Sequence, residues 1–169
     1  MNKSWYHTIA RFFILLLVQI FVLDQIHFFG FISPMVYFLF VLLVPIRIKL
    51  APYLLLAFFY GWILDTFNDT GGAHAAACLT LAFSRDLLLG LVYGESYKLQ
   101  NLKITRSPLN RIILLLILSI LIHHLVYYFL VIFNIFQIIT TLKMVFLVGV
   151  ASFIISLGIL MLIKPKKRS

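Results

Sequence analysis

The sequence predicts an all-α polytopic membrane protein, with about six transmembrane helices packed as one integral membrane domain over residues 1–169. Three observations predict it. Of the residues, 63% are hydrophobic and only 11% are charged, whereas a soluble domain carries about 25% charged residues to cover its wet surface. The apolar residues run in long blocks, without the broken pattern of a globular helix. The basic residues, finally, gather between alternate blocks.

Six blocks follow in order. The first runs from about Ile9 to Leu23, the second from about Phe31 to Ile46 and the third from about Ala51 to Phe67. The fourth covers Ala73 to Tyr93, the fifth Ile112 to Phe133 and the sixth Met144 to Ile163. A helix of about 20 residues crosses a hydrocarbon core of about 30 Å. The second block is shorter than this and is bounded by Pro34 and Pro45. It is expected either to span with little tilt or to sit where neighbouring helices thin the bilayer. Lys3 and Arg11 ahead of the apolar run from Phe12 to Leu23 imitate a signal peptide. No small-residue cleavage site follows, so the run reads as an uncleaved first span.

Charge fixes the orientation. With the N-terminus inside, the inner segments hold Lys3, Arg11, Arg47, Lys49, Lys98, Lys103, Arg106, Arg111, Lys164, Lys166, Lys167 and Arg168, twelve of the fourteen basic residues. Only Lys143 falls outside, and Arg85 lies within the fourth block. Basic residues in short loops resist translocation, so both termini are expected in the cytoplasm. This topology accounts for the net charge of +9 without a nucleic-acid partner, for which one continuous basic face would be needed. The lysine-rich tail is placed to touch anionic lipid headgroups. Cys78 is the single cysteine, so there is no internal disulfide and no cysteine metal cluster.

Several polar residues interrupt the apolar blocks. Gly61 and Asp65 are four apart and share a helix face, where the glycine permits close approach of a neighbour. Asp65 reads as an interfacial residue, as a packed polar contact, or, with least support, as an ion-transport group. Between it and the fourth block come Asp69, Gly71, Gly72 and His74, in the most polar stretch outside the termini; the two glycines supply a turn. Arg85-Asp86 lies about a dozen residues into the fourth span, where an exposed charge is costly. Arg85 reads as a buried ion-paired or snorkelling side chain, with a partner or ligand contact as the alternative.

In the fifth block Ser119, His123, Tyr127, Leu130 and Asn134 follow helical spacing and give a mostly polar stripe. His123-His124 diverge around the helix and lack the carboxylate of a metalloprotease pattern, so interhelical hydrogen bonding is the better reading than metal. Gly149, Ser152 and Ser156 form a small-residue face suited to close packing within one chain or between two. No nucleophile triad, phosphate-binding glycine loop, paired intramembrane glutamates or aspartate-rich lipid-transferase pattern occurs. Five acidic residues leave little for a general acid and base. No enzyme, cofactor or metal is expected.

The stretch Phe58-Phe-Tyr-Gly-Trp-Ile-Leu-Asp65, continued by Asp69-Thr-Gly-Gly-Ala-His74-Ala-Ala-Ala, resembles the bacterial rod-shape-determining MreD family. The family's glycine, its aspartate four residues on, and the small residues opening the next helix match Gly61, Asp65, Gly71, Gly72 and Ala73. The run from Gln25 to Tyr37, with Pro45 closing the next span, is similar to that family's first loop and second helix. Ser84-Arg85-Asp86 is more polar than the family pattern. The resemblance implies a non-enzymatic scaffold of the cell-wall elongation machinery in the bacterial inner membrane. It implies an MreC-like bitopic partner and, through it, MreB, RodA and a class B penicillin-binding protein. It also implies a fold similar to the substrate-binding subunits of energy-coupling-factor vitamin transporters. That fold supplies the alternative, a small-molecule-binding transporter subunit. The bulky first helix, without a small-residue docking pair, counts against it, and a polar cavity fed by Asp65, Arg85 and His123 would favour it. On the scaffold reading, Asp65→Ala and Arg85→Ala are expected to weaken partner assembly.

Overall fold

A computed structural model describes residues 3–26, 28, 30–94, 97 and 102–164. Helix α1 (Lys3–Val18) runs on into a π-helical turn, Gln19–Leu23. A short helix α2 (Phe38–Leu43) follows, then α3 (Leu50–Asn68), α4 (Ala73–Tyr93), α5 (Leu109–Ile132) and α6 (Ile138–Ile163). Single 3-10 turns at Ile104–Arg106 and Ile135–Gln137 precede α5 and α6. The protein is thus an all-α bundle and a multi-pass membrane protein; among the described residues five helices are long and apolar enough to span a bilayer.

The apolar character runs right round these helices. Phe83, Leu87, Leu91, Phe146 and Ile154 point outward and are exposed, while Leu81, Leu88, Leu89, Val145 and Val148 of the same helices are buried. A helix greasy on both sides suits a bundle whose outer surface meets lipid tails.

The second block departs from expectation. It is not a spanning helix: only Phe38–Leu43 is helical, six residues, with irregular chain on both sides. The cause is local. Pro45 disfavours the helical conformation for the residue before it, and Val44 is accordingly extended at ψ 142°. Pro34 and Gly30, at φ +84°, break the chain at the other end. The expected boundaries also shift elsewhere: α5 starts three residues earlier than expected and α6 six residues earlier, which places Lys143 inside α6.

Side-chain contacts give each segment its direction. Phe12 packs on Tyr60 with ring centroids 5.0 Å apart, and Asp24 meets Asn68 at 3.0 Å, so α1 and α3 run parallel. The segment between them must therefore return: Val36 lies beside Gln19 and Leu43 beside Arg11. Helices α3, α4, α5 and α6 then alternate. His74 packs on Tyr127 at one end, Arg111 lies over Tyr93 at the other, and Lys164 reaches Ser107. Arg11, Arg47, Lys49, Lys103, Arg106, Arg111 and Lys164 collect toward one face, the one that the positive-inside rule assigns to the cytoplasm. Lys98 and Lys166, Lys167 and Arg168 lie outside the described residues.

The returning segment is the centre of the core. Val36 to Leu42 are exposed by no more than 1%, more deeply buried than any comparable run of a long helix.

Candidate functional site

The α3–α4 hairpin shows why a glycine and an aspartate stand four residues apart. A Cβ on Gly61 would lie 2.5 Å from the His74 carbonyl oxygen and 2.6 Å from the Ala75 Cα, so the backbones of α3 and α4 touch at this point. One turn on, Asp65 reaches over the start of α4. Its Oδ1 accepts from the His74 N–H at 2.9 Å and from Thr70 Oγ1 at 2.5 Å, and its Oδ2 accepts from the Ala75 N–H at 2.8 Å. These are first-turn amides that lack intrahelical partners, and a carboxylate there also meets the positive end of the helix dipole. The connection closes through left-handed residues: Asp69 at φ +53°, Gly71 at +61° and Gly72 at +99°. Asp69 ends α3 by returning its N–H to the Asp65 carbonyl. Asp65 is therefore a buried, packed contact, and the solvated interfacial reading is set aside.

The broken segment presents the opposite case. Backbone outside a helix cannot face lipid, because nothing there satisfies its N–H and C=O groups. Here side chains from four helices do so. The Val36 N–H donates to Gln19 Oε1 at 2.8 Å, and Gln19 Nε2 donates to the Pro34 carbonyl at 3.0 Å. The Met35 N–H donates to Ser152 Oγ at 2.8 Å. At the inner end Tyr53 donates to the Val41 carbonyl at 2.8 Å, Arg11 to that of Leu43 at 3.4 Å, and Arg85 to that of Val44. The Arg85 guanidinium also lies over the Tyr53 ring, 4.9 Å from its centroid. Arg85 is thus a cation at the C-terminal end of α2, where the helix carbonyls concentrate partial negative charge. Asp86 is exposed on the next position round the helix. Tyr97 reaches the Asp86 carbonyl at 3.4 Å.

Between these two regions lies a line of polar rings. Tyr37 Oη meets His74 Nδ1 at 2.6 Å, and the Tyr37 and His123 rings pack edge to face with centroids 5.0 Å apart. His123 Nδ1 is 3.4 Å from His124 Nδ1, and His124 Nε2 is 3.1 Å from Ser152 Oγ. All five of these residues are buried. The line joins α4, the broken segment, α5 and α6. Among the described residues no group of three His, Cys, Asp or Glu side chains is placed to hold a metal.

The sequence-predicted residues thus divide into three groups. Gly61, Asp65, Asp69, Gly71, Gly72 and His74 come together at the hairpin. His123 and Ser152 join His74 through Tyr37 and His124. Arg85 stands apart, eleven residues along α4 from His74, or about 16 Å; Asp65, Arg85 and His123 do not converge on one cavity. Gly149 faces Ile120 of α5, and Ser152 and Ser156 are fully buried, so the small-residue face packs within the chain. Gln19, Tyr37 and Tyr53, which the sequence reading passed over, carry as much of the polar framework. Gln19 alone had a visible signal, an amide in the middle of an apolar run.

Comparison with protein-family models, with curated proteins and with solved structures gives no match.

Proposed function

We propose that this chain is a non-enzymatic scaffold subunit of the bacterial cell-wall elongation complex, seated in the cytoplasmic membrane. Its direct partner is an MreC-like bitopic protein, through which it works with MreB, RodA and a class B penicillin-binding protein. The sequence support is the resemblance of Gly61, Asp65, Gly71, Gly72 and Ala73 to the MreD pattern. The observation that carries the reading is the filled centre of the bundle. The chain's own broken segment fills that centre, with Tyr37, Phe38, Leu39 and Phe40 exposed by at most 1%, which supports a scaffold over a cargo-binding subunit. A protein of this build works through its outer surface and its loops.

Asp65 and Arg85 hold the chain's own backbone, so Asp65→Ala and Arg85→Ala act on partner assembly through the fold. The test is recovery of the tagged protein from its host in mild detergent, with the co-purifying proteins identified by mass spectrometry. Enrichment of an MreC-like bitopic protein is the expected result. Enrichment of ATPase subunits with a coupling membrane protein would move the chain to the transporter class.

A further inference from the structure

We propose that the turn between α5 and α6 is immersed in the outer leaflet, at the boundary of phospholipid headgroups and acyl chains, and is not an aqueous loop. The two outward turns of the bundle are chemically unlike. The α3–α4 turn reads Asn68-Asp69-Thr70-Gly71-Gly72, as suits a segment that meets water. The α5–α6 turn reads Phe133-Asn-Ile-Phe-Gln137 and passes into Ile138 and Ile139. Phe133, Ile135 and Phe136 are 78%, 75% and 94% exposed, so the rest of the bundle leaves them uncovered. No Asp, Glu, Lys or Arg occurs between Arg111 and Lys143.

Helix length sets the depth. Arg111 marks the inner end of α5, and Phe133 stands about 33 Å from it along the axis. Lys164 reaches Ser107, about one turn further in than Arg111, and Ile138 stands about 39 Å from Lys164 along α6. The two measures agree on a turn about 33 Å outward of Arg111. The hydrocarbon core is about 30 Å thick, and the bilayer with its headgroups about 40–45 Å. The turn therefore falls where the outer acyl chains give way to headgroups. Lys143 fits this level. It is exposed, five residues into α6, and helical side chains lean toward the N-terminus, which here is outward. Its ammonium extends back along α6 to the lipid phosphates while its stem stays in the apolar layer.

The backbone of the turn is built for such a place. Chain that leaves a helix in a water-poor layer must find partners for its polar groups within the protein. The Phe133 N–H donates to the Phe129 carbonyl at 3.0 Å, and the Gln137 N–H to the Asn134 carbonyl at 3.0 Å. The Phe136 N–H donates to Asn134 Oδ1 at 3.0 Å, so the asparagine side chain serves its own turn. Thr141 returns its hydroxyl to the Gln137 carbonyl at 3.2 Å. What the turn presents outward is chiefly apolar side chains with one cation beside them, the composition of a segment that lies in the membrane interface.

The experiment is spin labelling of the full chain in vesicles of phosphatidylcholine with phosphatidylglycerol. Cys78 is buried and is the single cysteine, so Cys78→Ala gives a background free of other thiols. Labels go to Phe136→Cys and Ile139→Cys, and to Asp69→Cys in the polar turn; all three positions are exposed, so the labels leave the packing intact. Power saturation compares collisions with oxygen, which concentrates in lipid, and with a nickel chelate confined to water. Oxygen contacts are expected to exceed chelate contacts at 136 and 139 and to fall below them at 69, with the ratio differing several-fold between the two turns. A ratio at either 136 or 139 no higher than at 69 would show an aqueous loop and overturn the proposal. Weak collision with both reagents would show protein over the turn, such as a second copy, and would overturn it equally. The purified chain suffices, so the outcome is independent of the scaffold reading.

Discussion

The α3–α4 hairpin and the broken segment after α1 face the same requirement, to bury backbone at membrane depth, and meet it in opposite ways. The hairpin is made of two long helices whose amides are satisfied internally, so only the exposed first turn of α4 needs help, and Asp65 provides it. The broken segment has a six-residue helix flanked by irregular chain; its N–H groups donate to Gln19 and Ser152, and its carbonyls accept from Gln19, Tyr53, Arg11 and Arg85. One region depends on steric fit between backbones, the other on borrowed polar groups. Substitutions in the two should therefore fail for different reasons and by different amounts.

The largest effect is expected in the hairpin. Gly61→Ala places a methyl group against backbone atoms at 2.5 and 2.6 Å, and backbone cannot swing aside as a side-chain tip can. Overpacking usually costs 1–3 kcal/mol, and here the helices must separate, so a loss of more than about 3 kcal/mol is expected. Gly158→Ala on α6 is the matched control, since its Cβ would meet nothing within 4 Å. There the better helix propensity of alanine should leave stability equal or up to about 1 kcal/mol higher. Thermal unfolding of both variants in the same detergent makes the comparison. If Gly61→Ala melts with Gly158→Ala, the close approach of α3 and α4 is not what holds the hairpin.

Second comes Arg85→Met, which keeps the length of the stem and removes the donor. A hydrogen bond from a charged group is worth about 1.5–3 kcal/mol, and the Val44 carbonyl would be left without Arg85. Part of the loss is offset because a buried cation disappears with it. A net loss of about 2 kcal/mol is expected, with proteolysis quickening first between Val44 and Lys49. Faster cutting in the α3–α4 turn instead would show that Arg85 serves the hairpin and not the broken segment.

The two regions also differed in how far the sequence disclosed them. Gly61 announced the close approach in the hairpin because such packing acts at a spacing that a helix fixes in advance, whereas Asp65 read first as an interfacial residue and its capping of α4 came from the structure. The broken segment did not disclose itself. Its residues are as apolar as those of a spanning helix, and Pro34 and Pro45 marked only its ends. Its supports come from 12 to 117 residues away in the chain, and such pairings depend on which helices become neighbours. Arg85 shows this most clearly: burial was foreseeable from its place in α4, but its partner is a carbonyl, which carries no mark in a sequence. The small-residue face of α6 was visible as a pattern, whereas its use within the chain needed Ile120, Met35 and His124 to be in position.

The smallest effects sharpen the comparison furthest, because they come from two serines one turn apart on that face. Ser152 and Ser156 are both fully buried and identical in volume, so replacing either by alanine alters packing equally. They differ only in what their hydroxyls do. Ser152 holds the Met35 N–H and His124 Nε2, while Ser156 Oγ has no partner among the described residues. Ser152→Ala should cost about 1–2 kcal/mol, since it strands a buried amide of the broken segment. Ser156→Ala should be neutral or slightly stabilising, because an unpaired hydroxyl is removed from an apolar setting. Unfolding of the two variants side by side isolates the polar contribution from the steric one. Equal losses would mean that the face contributes only its small size, and that the broken segment is held at its outer end by Gln19 alone.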